Sequence, residues 1–98
     1  MEIQLKKEAA ALCVALKGRL DTVTAPDLEA ALNGALAGVG QLSFDLTDLE
    51  YMSSAGLRVL LTAQKTMNKQ GSMIVTGVND TIREIFDLTG FSDILTIQ

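Results

Sequence analysis

The sequence predicts an α/β fold: a mixed sheet of four to five strands that opens with a β-hairpin, accompanied by about three to four helices. Segments of alternating apolar residues and segments of helical spacing follow one another in the order β-β-α-β-α-β-α-β. The 98 residues are 48% apolar and 20% charged, which suits one folded core. We therefore expect a single domain over residues 1–98, with parallel central strands.

The first part of the chain predicts a hairpin and then a helix. Ile3 and Leu5 alternate with polar residues before the apolar run 11–16, so the first strand is expected at a sheet edge. The segment 24–27 has the composition of a helix start, with Thr24 as the capping residue. Gly38 and Gly40 are expected to stop this helix before the next strand. Its predicted buried stripe is Leu28, Ala31, Leu32, Ala35 and Leu36.

The rest of the chain predicts alternating strands and helices. Asn79 is expected to cap the third helix and Gly90 to end it. In chain order, the elements are a strand over 42–46, a polar loop over 47–53, a helix over 54–70, a strand over 73–75, a helix over 80–89 and a short final strand over 94–97.

Composition excludes several classes of function. Eight Lys and Arg against twelve Asp and Glu give a net charge of -4, which disfavours nucleic acid as a partner. The absence of histidine and the single cysteine exclude a Ser-His triad, a Cys/His zinc site and an internal disulfide. Cys13 is expected in the core. No signal-peptide pattern or membrane-spanning run is present, so we expect a soluble, cytoplasmic protein.

The loops 18–24 and 47–53 should meet at the carboxyl edge of the sheet, where open α/β folds bind ligands. Asp21, Asp45 and Asp48 there could hold Mg²⁺, although capping and turn formation are the commoner roles of such acids. Ser54 begins a predicted helix, and from spacing alone a cap is its commonest role. Without a histidine base, catalysis by Ser54 has little support.

Four segments in register resemble the anti-sigma factor antagonists of the STAS domain family. They are Gly18-Arg19-Leu20-Asp21-Thr22-Val23-Thr24-Ala25, Asp45-Leu46-Thr47, Tyr51-Met52-Ser53-Ser54-Ala55-Gly56-Leu57-Arg58-Val59-Leu60-Leu61, and Asn79 with Leu88-Thr89-Gly90-Phe91. The resemblance spans nearly the whole chain.

The resemblance implies a partner-switching protein rather than an enzyme. Its partner would be an anti-sigma factor that is also a serine kinase of the GHKL type, and binding would release a sigma factor or another regulator. The kinase would then phosphorylate Ser54, ending the association until a phosphatase of the PP2C type restores it. ATP would belong to the kinase, so no cofactor is expected in this chain.

The resemblance also implies a docking surface around Ser54. Asp21 and Asp45 align with family aspartates, but Ser53 stands where the family commonly has an aspartate, which makes Ser53 a second candidate acceptor. An alternative is a constitutive STAS subunit of a stressosome-like assembly or a lipid-transport ATPase, with no serine switch. The residues implied in partner binding are Asp21, Thr22, Thr24, Asp45, Met52, Ser53, Ser54, Ala55, Gly56 and Leu57.

Overall fold

The computed structural model describes residues 1–98 and contains one four-stranded sheet. Its strands are β1 (Glu2–Glu8), β2 (Ala11–Leu20), β3 (Gln41–Met52) and β4 (Ser72–Thr76), which lie side by side in the order β1-β2-β3-β4. The β1–β2 hairpin is antiparallel, whereas β2–β3 and β3–β4 are parallel. The predicted mixed sheet, the hairpin and the edge position of β1 are confirmed.

Three α-helices connect and follow the parallel strands. They are α1 (Ala25–Leu32), α2 (Ser54–Gln70) and α3 (Asp80–Thr89), and a short 3₁₀ helix occupies Phe91–Asp93. Asn79 caps α3 by accepting a hydrogen bond from the Ile82 N–H at 2.9 Å. Gly90 follows α3 in the left-handed conformation, with φ 79°, which a residue without Cβ adopts at no steric cost. Both predicted ends of α3 are confirmed.

One face of the sheet carries the core. Leu12, Val14 and Leu16 of β2 are buried on that face, together with Phe44 of β3 and Val75 of β4. The alternate residues of β2 point to the other face and are only partly buried, and Cys13 is among them. The prediction that Cys13 belongs to the core is therefore wrong: its neighbours Leu12 and Val14 face the core, and Cys13 faces the other side of the sheet.

Three predicted boundaries differ from the structure. β3 continues to Met52, so the segment 47–53 is mostly strand rather than loop. Helix α1 ends at Leu32, because Asn33 is extended, and Ala35 and Leu36 follow in half-buried turns. The prediction that Gly38 and Gly40 stop this helix is therefore wrong. The expected final strand is reduced to one parallel bridge between Ile97 and Val75.

Candidate functional site

The ends of β2 and β3 bring the Asp21 segment beside the start of α2. Leu20 pairs with Met52 at the last position of both strands. One residue further on, the Ser53 N–H donates to the Leu20 carbonyl oxygen at 2.8 Å. The turn that begins at Asp21 and the helix that begins at Ser54 are therefore adjacent at the carboxyl edge of the sheet. The prediction that segments 18–24 and 47–53 meet at this edge is confirmed, although 47–52 is strand rather than loop.

Asp21 organises its turn through backbone hydrogen bonds. Its carboxylate accepts from the Val23 N–H at 3.0 Å and from the Thr24 N–H at 3.1 Å. Its own N–H donates to Thr24 Oγ1 at 2.9 Å. The hydrogen bond from the Thr24 N–H, chiefly, holds the pKa of Asp21 below the ordinary aspartate value, and the Arg19 guanidinium contributes a smaller lowering. Asp21 is thus a carboxylate held by the N–H groups of its own turn, at the sheet edge where α2 begins.

Thr24 does not act as the predicted cap of α1. Its side chain makes no hydrogen bond to the N–H groups of the first helical turn. Thr24 Oγ1 instead lies 2.8 Å from the Arg19 carbonyl oxygen and 3.2 Å from Asp21 Oδ1. The hydroxyl therefore ties the turn back to the end of β2, and it is only partly exposed.

Ser53 and Ser54 have opposite environments. Ser54 is the first residue of α2 and its side chain is exposed. Ser53 occupies the N-cap position, yet its hydroxyl makes no capping hydrogen bond and is buried without any partner. The first N–H groups of an α-helix lack intrahelical acceptors, so the start of α2 favours a negative charge at Ser54.

Three of the implied contact residues lie beneath the surface rather than on it. Met52 and Leu57 are 1% and 4% exposed, and Gly56 is also buried. They pack the start of α2 onto the ends of β2 and β3, so the side chains of Met52 and Leu57 are not available to a partner. We revise their role from contact to support. Ala55 is half-buried at the side of α2 that faces α1.

Asp45 lies away from Ser54. It pairs with Ala15 on β2, five residues before Leu20, which is a separation of about 16 Å along the strand. Its carboxylate accepts from the Thr47 hydroxyl at 2.6 Å and from the Thr47 N–H at 3.0 Å. The hydroxyl contact is the main cause of the lowered pKa of Asp45. Asp45 therefore shapes β3 and does not belong to the surface around Ser54.

The three aspartates considered for Mg²⁺ do not converge. Asp45 and Asp48 sit opposite Ala15 and Lys17 of β2, whereas Asp21 lies beyond the end of that strand. No group of three acidic or cysteine side chains is placed to hold a metal ion. The magnesium hypothesis has no support in this arrangement.

Two features near Ser54 were missed from the sequence. Val23 lies in the Asp21 turn and is 81% exposed. A groove of about 840 Å³ runs between α1 and α2 and reaches the start of α2. An apolar residue inside the predicted loop 18–24 could have revealed Val23, but the groove depends on how two helices pack. Six of the residues lining the groove are Thr22, Pro26, Glu29, Ala55, Arg58 and Thr62.

The family is shown by comparison with known proteins. The family model of the STAS domain matches residues 2–98, which is nearly the whole chain. The chain belongs to the STAS domain family. The STAS domain is 36% identical over 83 residues to an anti-sigma-B factor antagonist of Listeria monocytogenes, covering 83% of this chain and 73% of that protein. It is 32% identical over 99 residues to BtrV of Bordetella bronchiseptica, named as a candidate anti-sigma factor antagonist. This match covers 99% of this chain and 85% of BtrV.

Solved structures support the STAS fold. The anti-sigma factor antagonist SpoIIAA in its unphosphorylated form superimposes with a TM-score of 0.86 at 20% identity, covering 99% of this chain and 88% of that one. The phosphorylated form of SpoIIAA from Bacillus superimposes with a TM-score of 0.77 at 20% identity, covering 99% and 91%. The STAS domain contains no helix of the length and apolar character needed to cross a membrane.

Proposed function

We propose that this STAS domain is an anti-sigma factor antagonist controlled by phosphorylation of Ser54. In its unmodified form it binds an anti-sigma factor that is also a serine kinase of the GHKL type, which frees a sigma factor or another regulator. The kinase transfers the γ-phosphoryl group of its ATP to Ser54 Oγ, and ADP leaves. The phosphoserine ends the association, and a PP2C-type phosphatase hydrolyses it to restore binding. The proposal rests on the relatives named above and on one observation, the exposure of Ser54 at the first position of α2.

Accessibility favours Ser54 over Ser53 as the acceptor. A kinase must bring the attacking hydroxyl in line with the γ-phosphorus, so the oxygen has to reach the surface. The Ser53 hydroxyl is buried, whereas the Ser54 side chain is exposed. Phosphorylation at Ser53 would first require the start of α2 to open, and this makes Ser54 the acceptor in our proposal.

The surroundings of Ser54 suit a switch that acts on the complex. A phosphoserine adds a charge of about -1.5 to -2. Within the domain, the start of α2 offers N–H groups to this charge. A partner packed over Ser54 would instead have to desolvate it, and a penalty of about 4 kcal/mol corresponds to roughly a thousandfold weaker binding. The carboxylate of the Asp21 turn is itself negative, so it does not neutralise the phosphate.

The contact surface in this proposal consists of the exposed groups around Ser54. The Asp21 turn contributes Thr22 and Val23, both exposed, and the groove between α1 and α2 continues the surface past Ala55. Val23 adds exposed apolar area that association would remove from water. Asp45, Met52, Gly56 and Leu57 are outside this contact set.

The decisive experiment is a pull-down from the native lysate with four tag-matched baits: wild type, Ser54→Ala, Ser54→Glu and Ser72→Glu. Ser72 is an exposed serine that begins β4 at the opposite edge of the sheet, so Ser72→Glu controls for added charge. We expect wild type, Ser54→Ala and Ser72→Glu to capture an ATP-binding serine kinase, and Ser54→Glu to lose it.

The same experiment distinguishes the constitutive alternative. If all four baits capture the same transporter or scaffold components and no kinase, the protein is a permanent subunit and the switch is refuted. If a kinase is captured, incubation with ATP should phosphorylate wild type but not Ser54→Ala. Phosphate found on Ser53 of the wild type by mass spectrometry would contradict the acceptor assignment.

A further inference from the structure

The outer edge of β1 is open. β1 pairs with β2 on one side only, and all seven of its residues pair in continuous register without a bulge. Six of the seven residues are exposed, and Ile3 is the exception. Leu5 is 44% exposed although it lies on the sheet face that carries the core. An exposed, regular edge strand with unpaired backbone groups is a template for another strand.

The sequence of β1 is complementary to itself in one antiparallel register. When two copies pair about Gln4, each Glu2 lies opposite Lys6 of the other copy, and Ile3 lies opposite Leu5. Directly opposed residues of antiparallel strands share a face, so two opposite-charge pairs form on one face and two apolar pairs on the other. The next register, about Leu5, instead sets Glu2 against Glu8 and Ile3 against Lys7, which is unfavourable on both faces.

We propose that β1 is a homodimer interface, in which two copies join edge to edge in the register about Gln4 and form a continuous eight-stranded sheet. The occupant of the edge is a second copy of this chain, because an antiparallel copy of β1 places a Lys opposite Glu2 and a Glu opposite Lys6. The surface around Ser54 follows the ends of β2 and β3, whereas β1 begins opposite Lys17, before those ends. The dimer is therefore independent of the proposed switch, and the failure of one proposal would not refute the other.

Charge reversal at the paired positions tests both the interface and its register. Because of the two-fold symmetry, Glu2→Lys creates two Lys–Lys pairs and Lys6→Glu creates two Glu–Glu pairs. We expect each to weaken dimerisation by at least about tenfold, measured by sedimentation equilibrium of tag-free protein. The double variant Glu2→Lys/Lys6→Glu should recover the wild-type dimerisation constant. An equimolar mixture of the two single variants should form a heterodimer, because each copy then supplies the charge that the other needs.

Glu8→Lys is the matched control. It makes the same charge change on the same strand as Glu2→Lys, moving the net charge from -4 to -2, but position 8 has no partner within β1 in this register. Circular dichroism confirms that each variant is folded. Monomeric wild type up to millimolar concentration overturns the proposal, as does a dimer that both single reversals leave intact. Equal weakening by Glu8→Lys, or no recovery in the double variant, overturns the register and with it the assignment.

Discussion

Gly56 and Leu20 are in close contact where helix α2 meets the end of β2. A Cβ atom on Gly56 would lie 2.6 Å from Leu20 Cγ and 3.0 Å from Met52 Cγ, both of which belong to fully buried side chains. The missing side chain therefore lets the first turn of α2 approach the sheet. This approach sets the position of Ser54, two residues earlier, relative to the Asp21 turn.

Gly56→Ala should destabilise the domain. Inside a helix, alanine is ordinarily more stable than glycine by about 1 kcal/mol, so an unhindered site would gain stability. At Gly56 the overlap with Leu20 forces the helix or the leucine to move, and we expect a net loss of about 1–3 kcal/mol. Urea unfolding measures the change. Gly40→Ala is the control, because its Cβ would come no closer than 3.9 Å to another atom, and a net gain for Gly56→Ala would refute the close contact.

Asn79 has two roles that substitution can separate. Its Oδ1 accepts from the Ile82 N–H at 2.9 Å, and its Nδ2 donates to the Leu49 carbonyl oxygen at 2.8 Å, which ties α3 to β3. Asn79→Ala removes both and should cost about 1–2 kcal/mol. Asn79→Asp keeps the cap but sets a carboxylate against the Leu49 carbonyl oxygen, so we expect an intermediate loss. Equal stability of wild type and Asn79→Asp in urea unfolding would show that the link to β3 contributes nothing.

Local periodicity predicted most of the fold, and it failed where pairing between distant segments decides the structure. β3 illustrates the failure. Its buried residues Leu46, Leu49 and Met52 are spaced by three rather than two, because the register with β2 shifts twice. The alternation typical of a strand is lost there, and the exposed acids between these residues resemble a loop. Pairing with β2 as far as Leu20 keeps the segment extended.

The candidate site was only partly predictable for a related reason. The motif and the resemblance identified Ser54 and Asp21, whose neighbourhood follows from strand order. Met52 and Leu57 flank the same serine in the sequence, but whether an apolar side chain faces a partner or the core depends on how α2 sits on the sheet. Asp45 was misplaced because its distance from Ser54 depends on the length of β3, which the sequence prediction made too short.

Acid should weaken the domain partly through Asp45. The Thr47 hydrogen bonds lower the pKa of Asp45 in the folded state, so the carboxylate favours folding at any pH above its unfolded pKa of about 3.8. That contribution is lost as the pH falls through the lower, folded pKa. Asp45→Asn keeps an acceptor but has no charge to titrate. We expect it to be less stable than wild type at neutral pH, with the difference shrinking below about pH 4.

Urea midpoints measured at neutral pH and at about pH 3 give the stability of each protein under both conditions. Asp48→Asn is the control, because Asp48 is an exposed acid three positions further along β3. A difference between wild type and Asp45→Asn that stays constant with pH would contradict the contribution of the ionised carboxylate.

Phosphorylation of Ser54 should change binding far more than it changes the fold. Ser54 is exposed, so its phosphate remains in water, and the unpaired N–H groups at the start of α2 interact favourably with it. We therefore expect the Tm of the phosphoprotein to stay within about 5 °C of the unmodified protein, which corresponds to about 1 kcal/mol for a domain of this size. Binding to the captured kinase should fall by roughly a thousandfold. Calorimetry on one preparation before and after phosphorylation measures both quantities. A collapsed Tm would mean that the phosphate acts by unfolding the start of α2, and the switch would then be conformational rather than a direct block of the interface.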